Sequence, residues 1–206
     1  MKPLAVAAFL VLMVSAFQTL YFNDAGAESS ALQTVSQTKN TQNLVTYYSR
    51  SGTTRMVALE LQNLVSGDVC EVTSKADRSG LGVVTCVLDQ LLNRDDENAP
   101  VTKDMRQYRT IVVVTPVWIQ KMASPMRTFL KKQNLQGKEV YLFLTYNGHL
   151  SEEKEKAIAD EVTAGGIKLK KVFKIVTKER TKADIKKELA EKLAAILALQ
   201  QQSKNI

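Results

Sequence analysis

Past residue 42 the apolar positions of the chain fall into two alternating rhythms. Five short, nearly continuous apolar runs recur: "NLVTYY" (43–48), "DVCEV" (68–72), "TIVVVTP" (110–116), "VYLFLT" (140–145) and "VFKIVT" (172–177). The runs at 110 and 140 are rich in Val and Leu without polar interruption, the signature of strands buried on both faces of a parallel sheet. Between the runs the spacing changes to that of helices. Val57, Leu61 and Leu64 mark the first, over 54–65, and "GLGVVTCVLDQLLNR" marks the second. "SPMRTFLKKQ" forms a third, with Pro125 suited to its first turn. "SEEKEKAIADEVTAGG" opens on a capping Ser151 with acids behind it and closes on glycine. The last begins at Thr181 and carries Ile185, Leu189, Leu193, Ile196 and Leu199 on one stripe. Strands alternating with helices predict a three-layer α/β/α sandwich around a five-stranded parallel sheet, as one domain over 43–202.

The first 27 residues follow neither rhythm. Lys2 is followed by an apolar stretch, "LAVAAFLVLMVSAF", and Ala25 and Ala27 then stand as small residues before Glu28. That is the arrangement of a secretory signal peptide cleaved after Ala27. The apolar stretch from Pro3 to Phe22 is nearly long enough to span a bilayer, so an uncleaved anchor is the alternative. Both readings put the folded domain outside the membrane's inner face, in an exported, periplasmic-type compartment, with membrane contact only through 1–27 if uncleaved. No twin arginine is present, which favours export of an unfolded chain. Residues 28–42 are polar and aperiodic and read as a lead-in.

Composition narrows the picture. With 206 residues and 45% hydrophobic content there is enough chain for one sizeable core. The formal charge is +7, and losing residues 1–27 removes one base, Lys2, and one acid, Asp24, so the excess belongs to the domain. Most of it lies in 151–206, where 13 Lys and Arg face 9 Asp and Glu in an interspersed pattern typical of solvated surface. Clustered basic residues with interleaved aromatics are absent, so no nucleic-acid partner is expected. Cys70 and Cys86 lie in strand-like and helix-like runs; buried thiols are expected, although an oxidising compartment permits a disulfide.

Parallel sheets of this kind bind ligands outside the carboxyl ends of their strands. There the sequence places "SRSGTTR", "TPVWIQKM" and "TYNGH". In the first, Ser49, Ser51, Thr53 and Thr54 supply hydroxyls, Gly52 permits close backbone approach, and the next helix turns free N–H groups toward the loop. The combination suits a phosphate. The Gly-Lys-Ser/Thr of nucleotide-triphosphate loops and the three glycines of the dinucleotide fingerprint are both missing.

On these residues the chain resembles the flavodoxin-like family. The family's flavin-phosphate pattern is met by Tyr47, Ser49, Gly52, Thr54 and Ala58, and the resemblance extends through "DRSGLGVVTCVLDQL" and "VTPVWIQKMASPMRTFLKKQNLQGKEVYLFLT". It implies strand order 2-1-3-4-5 and FMN as cofactor. Ser49, Arg50, Ser51, Gly52, Thr53 and Thr54 would hold the phosphate. Thr115, Pro116, Val117 and Trp118 would form the loop beside the isoalloxazine ring, and Tyr146, Asn147 and Gly148 its other flank. His149 and Lys121 are neighbouring candidates: a lone loop histidine is more often plain surface, whereas Lys121 is explained equally well by either role. Where many relatives carry glycine after the ring-side aromatic this chain has Ile119 and Gln120, and the resemblance implies a left-handed backbone at Ile119. The usual acidic surface around the flavin is also missing. The function implied is an exported FMN-dependent redox protein, moving electrons to a partner protein or reducing a small quinone-like acceptor. The alternative is a flavodoxin fold serving as a binding or scaffold module without tight flavin binding.

Overall fold

The computed structural model describes residues 42–78 and 82–202; the leader (1–27) and residues 28–41 of the lead-in lie outside them. Among the described residues no helix is long and apolar enough to cross a membrane. The elements run β1 (Asn43–Tyr47), α1 (Thr53–Val65), β2 (Asp68–Glu71), α2 (Gly82–Leu91), a 3-10 turn (Met105–Gln107), β3 (Thr110–Trp118), β4 (Lys121–Met122), α3 (Ser124–Lys132), β5 (Glu139–Tyr146), α4 (Glu152–Ala164), β6 (Lys168–Val176) and α5 (Lys182–Gln202). Five strands pair in parallel in the order β2-β1-β3-β5-β6, while β4 pairs antiparallel with the end of β3. Leaving out two-residue β4, this is the order 2-1-3-4-5.

Alternate residues of each central strand enter opposite layers, as the period of two requires. Val45, Val112, Val114 and Phe143 face a layer made by Val57, Leu61 and Leu64 of α1 and Ile185, Leu189 and Leu193 of α5. Leu44, Ile111, Val113 and Leu142 face the other, made by Met126, Phe129 and Leu130 of α3 and Ile158 and Val162 of α4. The side chains at 196 and 199, placed on the α5 stripe by periodicity, lie outside the described set.

Three features depart from the expected scheme. The sheet is not wholly parallel, because after Trp118 the chain doubles back for two residues. β6 starts at Lys168, earlier than the apolar run, since an edge strand with Lys168, Lys170 and Lys171 exposed has no apolar signal there. Lysines on an edge also discourage pairing with another chain. Finally, the return from β2 to β3 is not made by α2. Residues 99–109 make it, with Met105 and Tyr108 buried in the core. α2 belongs instead to an excursion over 74–98 whose two ends meet: Ala99 N donates to Thr73 O (2.8 Å), Lys75 N to Glu97 O (2.8 Å), and Ser74 bridges Asn98.

Candidate functional site

The three loops singled out in the sequence end β1, β3 and β5, and those strands are neighbours in the sheet. A hydroxyl chain joins them at the centre. Thr54 Oγ1 lies 2.8 Å from Thr145 Oγ1, and Thr145 Oγ1 lies 3.4 Å from Thr115 O, to which it can donate. All three threonines are buried.

The first loop has the form its residues require. Gly52 N donates to Ser49 Oγ (3.1 Å), folding the turn on itself. Gly52 adopts φ 90° as the N-cap of α1, a conformation open to glycine and costly to other residues. The first helical bond is Met56 N to Gly52 O (3.0 Å), so the N–H groups of Thr53, Thr54 and Arg55 have no acceptor within the helix. Arg50, Ser51 and Gly52 are exposed and Thr53 is half-buried. Among the described residues the hydroxyls of Ser51 and Thr53 make no hydrogen bond. Free N–H groups at a helix N-terminus, two free hydroxyls and a nearby guanidinium form a donor set that fits a phosphate monoester. Thr54 contributes its N–H only, because its hydroxyl is turned inward to Thr145.

The second loop is a hairpin. Trp118 pairs with Lys121 across a two-residue turn, with Ile119 at φ 49° and Gln120 at φ 60°. Positive φ at both central residues is the I′ geometry that matches strand twist and selects Asn-Gly. Here neither residue is one that tolerates it, at a cost of about 1–2 kcal/mol each. The left-handed backbone expected at Ile119 is thus present, and Gln120 shares it. Trp118 is half-buried and meets Tyr48 edge to face, with ring centroids 5.5 Å apart at 81°. Burial pushes the Tyr48 phenol up to about 12.

The third loop is tied to the end of β6. Tyr146 is half-buried, and burial raises its phenol pKa. Its carbonyl accepts from Thr177 N (2.9 Å), and Asn147 Oδ1 accepts from Thr177 Oγ1 (2.7 Å). Asn147, Gly148 and His149 are exposed. Lys121, a candidate charge beside the ring, is committed elsewhere: its Nζ donates to Gln90 O (3.0 Å) and Asn93 Oδ1 (2.7 Å).

The sequence reading did not include the α2 excursion in the site, yet it forms one wall. Gln90, wholly buried, donates to Met122 O (2.8 Å) and accepts from Arg127 Nη1 (3.1 Å), pinning α2 to the hairpin and to α3. Arg78 is buried between Asp89 (2.7 Å) and Asp96. Burial opposes the Arg78 charge, and the Asp89 bond with the Asp96 charge more than offsets it, so the net pKa shift is upward. The outward face of α2 is apolar, with Val84, Val87, Leu88 and Leu91 exposed. A cavity of about 410 Å³ opens between this excursion and the first loop, lined among others by Tyr48, Arg50, Glu71 and Arg78. It shares Ser49 and Arg50 with the phosphate-type loop but takes in none of 115–118 or 146–148, so it is a space beside the ring-side loops and not between them. Cys70 and Cys86 are both buried free thiols. Burial pushes the Cys70 thiol up, away from reactivity.

A doubly wound α/β sheet with an anion-binding turn and two aromatic-bearing loops at its carboxyl edge defines a class of nucleotide- and flavin-binding folds. Within that class the flavodoxin family model matches residues 42–192, and the chain belongs to the flavodoxin family. A Bacteroides eggerthii protein designated a flavoprotein is 20% identical with TM-score 0.58, over 75% of this chain and 99% of that one. A Lactobacillus acidophilus flavoprotein, solved in complex with FMN, is 25% identical with TM-score 0.56, over 65% of this chain and 93% of that one. No curated protein matches the chain.

Proposed function

We propose that the chain is an FMN-binding redox protein of an exported compartment. The observation that carries this is the 49–54 turn, with its left-handed Gly52 and uncommitted donors, at the edge where β1, β3 and β5 end side by side. A family relative of similar fold is solved with FMN, which supports the same ligand here.

The N–H groups of Thr53, Thr54 and Arg55 and the hydroxyls of Ser51 and Thr53 would hold the phosphate, with Arg50 adding charge. Trp118 and Tyr146 would flank the ring and shield it from water. FMN would supply the electron and hydride chemistry, and no side chain is required as nucleophile or acid. The electron acceptor is a redox partner protein or a quinone-like small molecule. The leader is removed after Ala27, and intact mass of the exported form beginning at Glu28 checks that.

Titration with FMN and with riboflavin tests the assignment. A hydrogen bond to a charged group contributes about 1.5–3 kcal/mol. Replacing both Ser51 and Thr53 by alanine should weaken FMN at least tenfold and leave riboflavin unchanged. Thr54 is left intact because its hydroxyl serves Thr145. Equal losses for the two ligands would remove the phosphate assignment, and absence of flavin absorbance after incubation would leave a scaffold module.

A further inference from the structure

The turn at 119–120 is held in an unfavourable conformation, and the structure shows what holds it. The Gln120 side chain reaches across to the loop after β5 and uses both ends of its amide there. Nε2 donates to His149 O, and Oε1 accepts from Ser151 N (3.3 Å). On the opposite side the next residue, Lys121, is bonded to the end of α2. The hairpin carrying Trp118 is therefore fastened laterally to both of its neighbours, and among the described residues the Gln120 bridge supplies its hydrogen bonds to the segment that follows Tyr146, Asn147 and Gly148.

A surface glutamine with a left-handed backbone has no local reason to stay there, and residues in such regions persist when their surroundings over-determine them. Ser151 is the N-cap of α4, its Oγ accepting from Lys154 N (3.3 Å), so the bridge lands on a rigid point and not on a free loop. The geometry points to Gln120 as a positioning residue that fixes the spacing between the Trp118 hairpin and the 146–149 loop, the two walls assigned to the isoalloxazine ring. The inference rests on the flavin reading above. Gln120 touches no ring atom in this role; it acts through the walls it joins.

Two substitutions separate the bridge from the turn. Gln120→Asn keeps the amide and better tolerates the left-handed backbone, but is one methylene too short to span the gap. Gln120→Glu keeps the length and the acceptor for Ser151 N but loses the donor for His149 O. Hydrogen exchange of the Ser151 amide in flavin-free protein reads the bridge directly. Exchange should quicken tenfold or more in Gln120→Asn and stay slow in Gln120→Glu. In both variants FMN and riboflavin should weaken by the same factor, about tenfold in Gln120→Asn, because the defect lies on the ring side. A variant disturbed only in the phosphate turn weakens FMN alone. If Gln120→Asn leaves Ser151 exchange and both affinities within twofold of wild type, the bridge has no positioning role. If wild type binds neither flavin, the flavin reading falls and the ring-spacing role with it, while Ser151 exchange still reports whether the bridge exists.

Discussion

Replacing Arg78 by methionine isolates the buried charge cluster that closes the α2 excursion. Arg78 is 7% exposed and the Asp96 side chain is fully buried. Asp96 Oδ1 also accepts from Ser74 Oγ (2.8 Å), and Asp96 N donates to Thr128 Oγ1 on α3 (2.7 Å), which holds the buried carboxylate in place. Removing the guanidinium strands it. Breaking one partner of such a pair costs about 3–5 kcal/mol, whereas replacing both charges by apolar groups is often near neutral. For a chain of this size the single loss corresponds to a fall in Tm of about 6–20 °C. Asp96→Leu should be similarly costly, and Arg78→Met combined with Asp96→Leu should cost far less than the sum, with a coupling of at least about 2 kcal/mol. Urea titration followed by fluorescence of Trp118, the only tryptophan, measures all three variants. Because no described residue of α2 belongs to either core cluster, part of the loss should surface as faster hydrogen exchange confined to 74–98. Additive single and double losses, or a cost below about 1 kcal/mol for Arg78→Met, would refute the reasoning.

The central hydroxyl chain makes a second prediction: Thr145→Val leaves the Thr54 hydroxyl buried without its partner, costing about 1–3 kcal/mol in urea titration, and adding Thr54→Val should restore most of it. Tyr47, Tyr48, Tyr108 and Tyr141 each have a phenol pushed up to about 12, with burial the first cause in every case. A folded-state pKa above the unfolded value of about 10 gives stability that is complete below pH 10 and lost as pH rises through 12. Circular dichroism melts should therefore fall steeply over pH 10–12, and a flat profile would contradict the burial of these rings. Leu91 is 58% exposed and Leu61 fully buried, so Leu91→Gln should shift stability by less than about 0.5 kcal/mol while Leu61→Ala costs about 2–5 kcal/mol.

Most of the sheet was legible because its inner strands advertise themselves: Val112, Val113 and Val114 leave no room for another reading. β6 was legible only at its apolar end, where Phe173 and Ile175 enter one core layer and half-buried Val172 packs on the other, and its lysine-rich beginning carried no signal. The helix at 82–91 was readable as a helix, but periodicity says nothing about which face meets protein, and α2 exposes Val84, Leu88 and Leu91 while burying Cys86 and Gln90. The loops of the site were placed by topology and by the family pattern. Thr54 was read as a phosphate donor by its position in that pattern; its side chain turns toward Thr145 because the residue is packed beneath the loop and not on it. Gln120 and Gln90 gave no warning at all, since each acts through partners about thirty residues away, and such bonds leave no local trace in a sequence.

The excursion over 74–98 returns to the place where it leaves. Its ends are tied by backbone bonds from Ala99 N to Thr73 O and from Lys75 N to Glu97 O, and the Lys75–Glu97 ion pair and the buried Arg78 cluster reinforce the closure. What lies between them is a panel that leaves and rejoins the sheet at one place and is pinned to the Trp118 hairpin and to α3 through Gln90. Lengthening it costs little, since each doubling of a closed loop adds only about 0.6 kcal/mol of closure entropy. An insertion at an exposed point of the panel, away from Arg78, Gln90 and Asp96, therefore lengthens the rim beside the site while the strands beneath keep their register.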